Sequence, residues 1–243
     1  MMGILGDEVG VIFYMKATKP SKELVERIFN SLEEEGGKYV ENWGVQVYIN
    51  REKYKDYDLK KTSLNKMKEI LSKEEGAAAF DFKEITLDIR ILSKGHGGEE
   101  EFGSISLSCH HTNLEITGDE NEDRDQKIKA ANKLVSIAKK VWNSLDPKPL
   151  YGLGENGYAI EEILQIIEKV NELSPWVVFY GSEFIEKIGK EKLLNAPAYR
   201  VEEVDEGVLI MTSPLRSLPD DMEDQDTTLK TKEYFGWKKE ESE

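Results

Sequence analysis

Cysteine is nearly missing from this chain. Cys109 is its single cysteine, so no internal disulfide can staple the fold, which fits a reducing, cytoplasmic setting. Histidine is almost as scarce, with 3 residues, and two of them follow that cysteine directly as His110-His111. Basic charge is also in deficit. Lys and Arg total 33 against 48 Asp and Glu, and the net charge of -15 repels phosphate backbones. No compensating basic stripe is visible, so nucleic acid is not an expected partner, whereas a cationic protein surface is. No stretch reaches the roughly 18 apolar residues of a spanning helix, and no membrane association is expected. The start, MMGILGDEVGVIFYMKATKP, lacks a basic head before an apolar run, and Asp7-Glu8 interrupts it early, so no secretory leader is expected.

Hydrophobic residues make up 39% and aromatics 9%, enough for a packed core and too much for wholesale disorder. Scarce glutamine beside abundant Lys and Glu is compatible with a heat-loving source.

Periodicity supplies the elements. The run VGVIFYM (Val9 to Met15) has the continuous apolarity of a strand buried on both faces. Ser21 is placed to cap a helix carrying Leu24, Val25, Ile28, Phe29 and Leu32 on one side, ended by Gly36-Gly37. WGVQVYI (Trp43 to Ile49) alternates as a strand. A short helix after Ser63 turns Leu64, Met67, Ile70 and Leu71 inward and stops by Gly76. KEITLDIRIL places Ile85, Leu87, Ile89 and Ile91 on one face and Thr86, Asp88 and Arg90 on the other. FGSISLSCHH then returns, with Ile105, Leu107 and Cys109 inward, as the second arm of an antiparallel hairpin. A long helix through Ile128, Ala131, Leu134, Val135, Ala138, Val141, Trp142 and Leu145 follows, and the prolines of Asp146 to Pro149 stop it. Beyond it come a helix through Ile160 to Leu173, a buried strand WVVFY and a helix capped at Ser182. A hairpin turning at Asp205-Glu206-Gly207 is next, then a Pro- and acid-rich loop over residues 213 to 226.

Hairpins mixed with helices indicate an α+β fold: a mainly antiparallel or mixed sheet, or two, with helices packed on one side. The expected organisation is one globular domain over residues 1–243. It is divisible into packed lobes of about 1–146 and 150–237, with 238–243 as a disordered tail.

Four sites invite chemistry. Alternation sends Cys109 inward and His110 outward, so the triplet cannot converge on one metal, and two ligands fall short of a zinc site. His110 is the histidine left for surface function. YGLGENGY matches G-x-G-x-x-G at Gly152, Gly154 and Gly157, but the preceding DPKPL cannot be the buried strand that a dinucleotide site requires. The expected structure is a glycine loop bridging the lobes, with Tyr151, Gly152, Gly154, Asn156 and Tyr158 as candidates to line a ligand groove. GDENEDRDQKIKA fails as a calcium loop, because Arg124 occupies the glycine position and Ala130 that of the bidentate glutamate. Around Ser182 the glycines of a hydrolase elbow are not in place, which leaves it as a helix cap.

Trp176, Gly181, Gly189 and Leu193, followed by a hydrophobic hairpin and a Pro-acid loop, resemble the C-terminal half of immunity-type proteins of bacterial polymorphic-toxin and type VI secretion systems. Where that family carries Gly-Asp after the proline, this chain has Asp220-Asp221. The resemblance implies an α+β inhibitor without catalytic residues that binds a cognate effector. Two readings follow. The preferred one is a non-catalytic acidic interaction protein with no cofactor and no metal, steering a basic partner through Glu99-Glu100-Glu101 and the acid-rich segments 119 to 125 and 220 to 226. The alternative is a small-molecule-binding protein or hydrolase-type enzyme with its groove at Tyr151 to Tyr158 and His110 or His111 as acid/base. Oligomeric state is open.

Overall fold

A computed structural model describes residues 8–16, 20–48, 57–93, 102–114, 124–154, 176–215 and 222–236. The α+β expectation holds, with one antiparallel sheet rather than two. Its strands are β1 (Glu8–Lys16), β2 (Lys38–Tyr39), β3 (Val45–Tyr48), β4 (Tyr57–Lys60), β5 (Gly76–Asp81), β6 (Thr86–Leu92), β7 (Phe102–His110), β8 (Tyr151–Gly154), β9 (Val177–Tyr180), β10 (Arg200–Val204) and β11 (Gly207–Met211). Across the sheet the order is β10-β11-β9-β8-β1-β7-β6-β5-β3-β4, with β2 beside β3 along the same edge of β5. β1 is the seam. It pairs with β7 from Glu8↔His110 to Lys16↔Phe102 and with β8 from Ile12↔Leu153 to Tyr14↔Tyr151. The sheet therefore continues across the proline segment Asp146–Pro149.

The helices are α1 (Lys22–Glu34), α2 (Leu64–Leu71), α3 (Arg124–Ser144), α4 (Ser182–Ile188), α5 (Lys190–Leu194) and α6 (Met222–Phe235). Ser21 caps α1 as expected, its Oγ accepting from the Leu24 N–H at 3.1 Å. One core lies between α1, α2, α3 and the sheet. Val9, Val11 and Phe13 of β1 reach into it with Leu87 and Ile89 of β6, Phe179 of β9 and Leu209 of β11. The ring of Trp142 from α3 stacks on Phe179 at 5.3 Å and meets the edge of Phe13 at 5.7 Å, while its Nε1–H donates to the Asp205 carbonyl at 2.8 Å. Lysines along α3 tie it to its neighbours, through Lys133 to Glu35, Lys139 to Glu202 and Lys140 to Glu34.

A second core fills the opposite face of the sheet. Tyr14, Tyr151, Leu153, Val178, Tyr180, Val208 and Ile210 pack there against Phe184 of α4, Leu193 of α5 and Phe235 of α6. Helices thus cover both faces at the β1-β8-β9-β11 end, which corrects the expectation of one covered face. The continuous apolar runs of β9 and β11 are the reason: both of their side-chain sets are buried.

Other local expectations change as well. Gly76 does not stop a helix; it opens β5. An added Cβ there would come within 2.1 Å of the Gln46 carbonyl, so the strand approach itself requires glycine. The cap of α4 is Gly181, and Ser182 is the first helical residue. The loop expected over residues 213 to 226 gives way at Met222 to α6, which runs to Phe235. The helix expected through Ile160 to Leu173 and the tail 238–243 lie outside the described residues.

Candidate functional site

The Cys-His-His corner comes first. Cys109 pairs with Val9 of β1, is 4% exposed and faces the core. His110 is exposed, as alternation requires. His111 departs from expectation. β7 ends at His110, and His111 opens a 3-10 turn over His111–Asn113, so the strand alternation stops before it. The two imidazole rings lie 4.5 Å apart, tilted by 31°. His110 is also bound into the turn. Its Nδ1 accepts from the Thr112 N–H at 3.4 Å and sits 2.8 Å from Thr112 Oγ1, while Asn113 Nδ2 donates to the His110 carbonyl at 3.0 Å. The histidines finish a strand whose Cys109 side chain lies in the core. Among the described residues no three His, Cys, Asp or Glu side chains gather as a metal site would require. His96 lies outside those residues.

The glycine motif is corrected more sharply. Tyr151, Gly152 and Gly154 belong to β8, a strand in the interior of the sheet, and not to a loop between lobes. Tyr151 is 3% exposed and its ring stacks on Phe184 at 5.0 Å. A Cβ on Gly152 would stand 2.6 Å from Phe13 Cδ1 and 3.0 Å from Phe179 Cβ. Glycine is there so that two large rings can close over the strand. Tyr151 lies opposite Tyr14 and His110 opposite Glu8. Six residues of extended chain place them about 20 Å apart along β1, so Tyr151 and His110 do not share a groove. Asn156 and Tyr158 lie outside the described residues, as do Glu99-Glu100-Glu101, residues 119–123 and Asp220-Asp221.

An open site lies at the other end of the sheet. β2 and β3 run one after the other along β5, and between them the chain leaves the edge in a turn at Glu41, Asn42 and Trp43. The Trp43 N–H donates to the Val40 carbonyl and the Gly44 N–H to Glu41, and Gly44 takes φ 73° to bring the chain back into β3. β4 extends the sheet beyond β3, but among the described residues no strand lies beyond β2. Beside β2 the described residues form a notch, an open cleft of about 470 Å³. Tyr39, Glu41 and Trp43 line it from the β2 side. Lys38, Asp81 and Thr86 form its floor as one cross-strand row of β2, β5 and β6.

Trp43 stands 57% exposed at the rim, and Leu59 of β4 is also largely exposed. Thr86 Oγ1 donates to Asp81 Oδ1 at 2.7 Å, which fixes that carboxylate. The Tyr39 ring leans on Phe80 at 5.9 Å, and its buried hydroxyl has no hydrogen-bond partner among the described residues. Burial raises the Tyr39 pKa above its ordinary value, and the Glu41 carboxylate raises it further. The register also fixes the backbone. The Val40 N–H donates inward to the Ala79 carbonyl, so the adjacent residue, Tyr39, points its own N–H and C=O away from β5. The opposite edge, β10, is guarded by charge: Arg200 pairs with Glu202, and Glu203 with Lys190 of α5.

Sequence reasoning missed this site because Trp43 shares parity with Val45 and Val47 and so reads as a core residue of one strand. The available signal was Asn42 and Gly44 on either side of it, a turn pair that breaks the alternation. No protein-family model matches the sequence, and no curated protein matches it.

Proposed function

We propose that the chain is a cytoplasmic, non-catalytic interaction protein of the immunity type that holds a basic protein partner and not nucleic acid or a membrane. One observation carries this reading: a chain of net charge -15 leaves a tryptophan 57% exposed at the rim of an open notch in its sheet edge. At interfaces tryptophan is among the residues that contribute most when covered. The charge adds the sign of the partner, since acidic surfaces speed and select encounters with basic ones. Lysines of α3 pair with Glu34, Glu35 and Glu202, and Lys148 with Asp205; each pair cancels one charge of either sign and leaves the excess of 48 acids over 33 bases unchanged. The surplus is anionic. No helix among the described residues is long and apolar enough to cross a membrane.

The test is co-expression. Products of the genes adjacent to this one are expressed in a host with and without the chain, and growth is followed. A basic product that arrests growth alone, and is neutralised by the chain in a salt-sensitive complex, is the expected result. Adjacent products that are metabolic enzymes, unbound by the chain and harmless to the host, would overturn the reading.

A further inference from the structure

We infer that the notch beside β2 receives an extended basic segment of the partner, which adds as a strand to the free edge and lays an arginine or lysine side chain over Trp43. The inference rests on the interaction reading above and names the surface that does the holding. Three features of the notch point to it. The outward N–H and C=O of Tyr39 form a donor–acceptor pair with no strand beyond them among the described residues, the requirement for strand addition. Trp43 offers an indole largely open to solvent, the ring on which a cation binds best. Among the described residues lining the cleft with it, Glu41 and Asp81 bring two carboxylates against the ammonium of Lys38, which faces Asp81 across the β2–β5 pair. The cleft therefore carries an excess of negative charge in a chain already acidic overall. A guanidinium reaching it meets an aromatic face and a carboxylate that Thr86 already holds in place.

The chemistry also defines what is refused. A neutral isostere of arginine keeps the shape and the strand bonds but loses the attraction of the ring and the carboxylates. A peptide methylated on the amide that faces Tyr39 keeps the charge but cannot bond the edge.

Short capped Thr-Arg-Thr peptides test both halves. They are titrated into the full 15N-labelled chain, with arginine, lysine, citrulline or a backbone-methylated arginine at the centre. The reporters are the Trp43 indole N–H, assigned by its loss in Trp43→Phe, and the Tyr39 amide. The arginine peptide is expected to shift both signals, and citrulline to bind about fivefold more weakly, the factor expected for loss of one cation–π contact. Glu41→Gln and Asp81→Asn should each weaken the arginine peptide while leaving citrulline unchanged, and added salt should do the same. Methylation should abolish the Tyr39 shift. Equal binding of arginine and citrulline, or no movement at Trp43, would overturn the inference. So would a soluble oligosaccharide that shifts the indole where the peptides do not. If the arginine peptide leaves Trp43 unmoved while a neighbouring basic protein is still neutralised, the notch is wrong and the interaction reading stands. If the peptide binds as described but no neighbouring product is neutralised, the notch stands and the immunity reading falls.

Discussion

The two halves of this sheet are built on different terms. In β8, β9 and β11 every residue is buried, because α3 covers one face and α4, α5 and α6 the other. In β6 burial alternates, with Leu87, Ile89 and Ile91 inside and Thr86, Asp88 and Arg90 half-covered on the opposite face. The first arrangement has no surface left to offer. The second keeps a polar face and, at β2, an edge with no further strand among the described residues. Double cover and the proposed docking notch thus lie towards opposite ends of one hydrogen-bonded sheet, with β1 between them.

The comparison can be broken by mutation, and the largest effects belong to the doubly covered end. Trp142→Ala removes a ring packed on Phe13 and Phe179 together with the bond to Asp205. The expected loss is about 3–5 kcal/mol in urea denaturation. Gly152→Ala comes next. Its methyl group would sit 2.6 Å from Phe13 Cδ1, and the expected cost is about 1–3 kcal/mol. An undisturbed melting temperature would mean that β8 is not clamped between those rings.

Alkaline pH should weaken the same end next. Burial raises the phenols of Tyr14 and Tyr180 far above their ordinary value of 10.0. With the folded value raised, the neutral phenols leave stability intact below pH about 10. Stability then falls as pH rises above that point, because the unfolded chain ionises first. Melts from neutral pH to beyond pH 10 should show this fall, and Tyr180→Phe should flatten it.

The smallest changes in stability are expected at the open end. Ser106→Ala on the half-covered face and Trp43→Ala at the rim should each shift stability by no more than about 0.5 kcal/mol. Trp43→Ala should nonetheless remove partner binding, and that separation of stability from function is what distinguishes a docking residue from a core residue. A large destabilisation by Trp43→Ala would place the indole in the fold instead.

Legibility in the sequence follows the same division. Strands with strong patterns were readable from side-chain period alone: β1, β6, β7 and β9, and the β10–β11 hairpin. So was the inward turn of Cys109. β5 was not, because Gly76-Ala77-Ala78-Ala79 lacks the branched and aromatic residues that mark strands, and its burial comes from neighbours distant in the chain. β8 was not, because Tyr151 to Gly154 reads as a loop until Phe13 and Phe179 are seen to need the space that glycine leaves. α6 was hidden by the acidic, proline-bearing composition of residues 213 to 226. The notch depends on a register break at Gly44, where one positive φ turns an inward-phased tryptophan outward. Such a break is set by pairing with β5, which local sequence does not record.

A photo-crosslinking side chain placed at position 43, 110 or 199 of the full chain, in its own host, tests the assignment of the working surface most directly. Tyr199 and His110 are exposed controls at other places on the molecule. The expected result is an adduct from position 43 to a protein of net positive charge, lost at high salt, with none from the other two. Adducts confined to position 110 or 199 would contradict it.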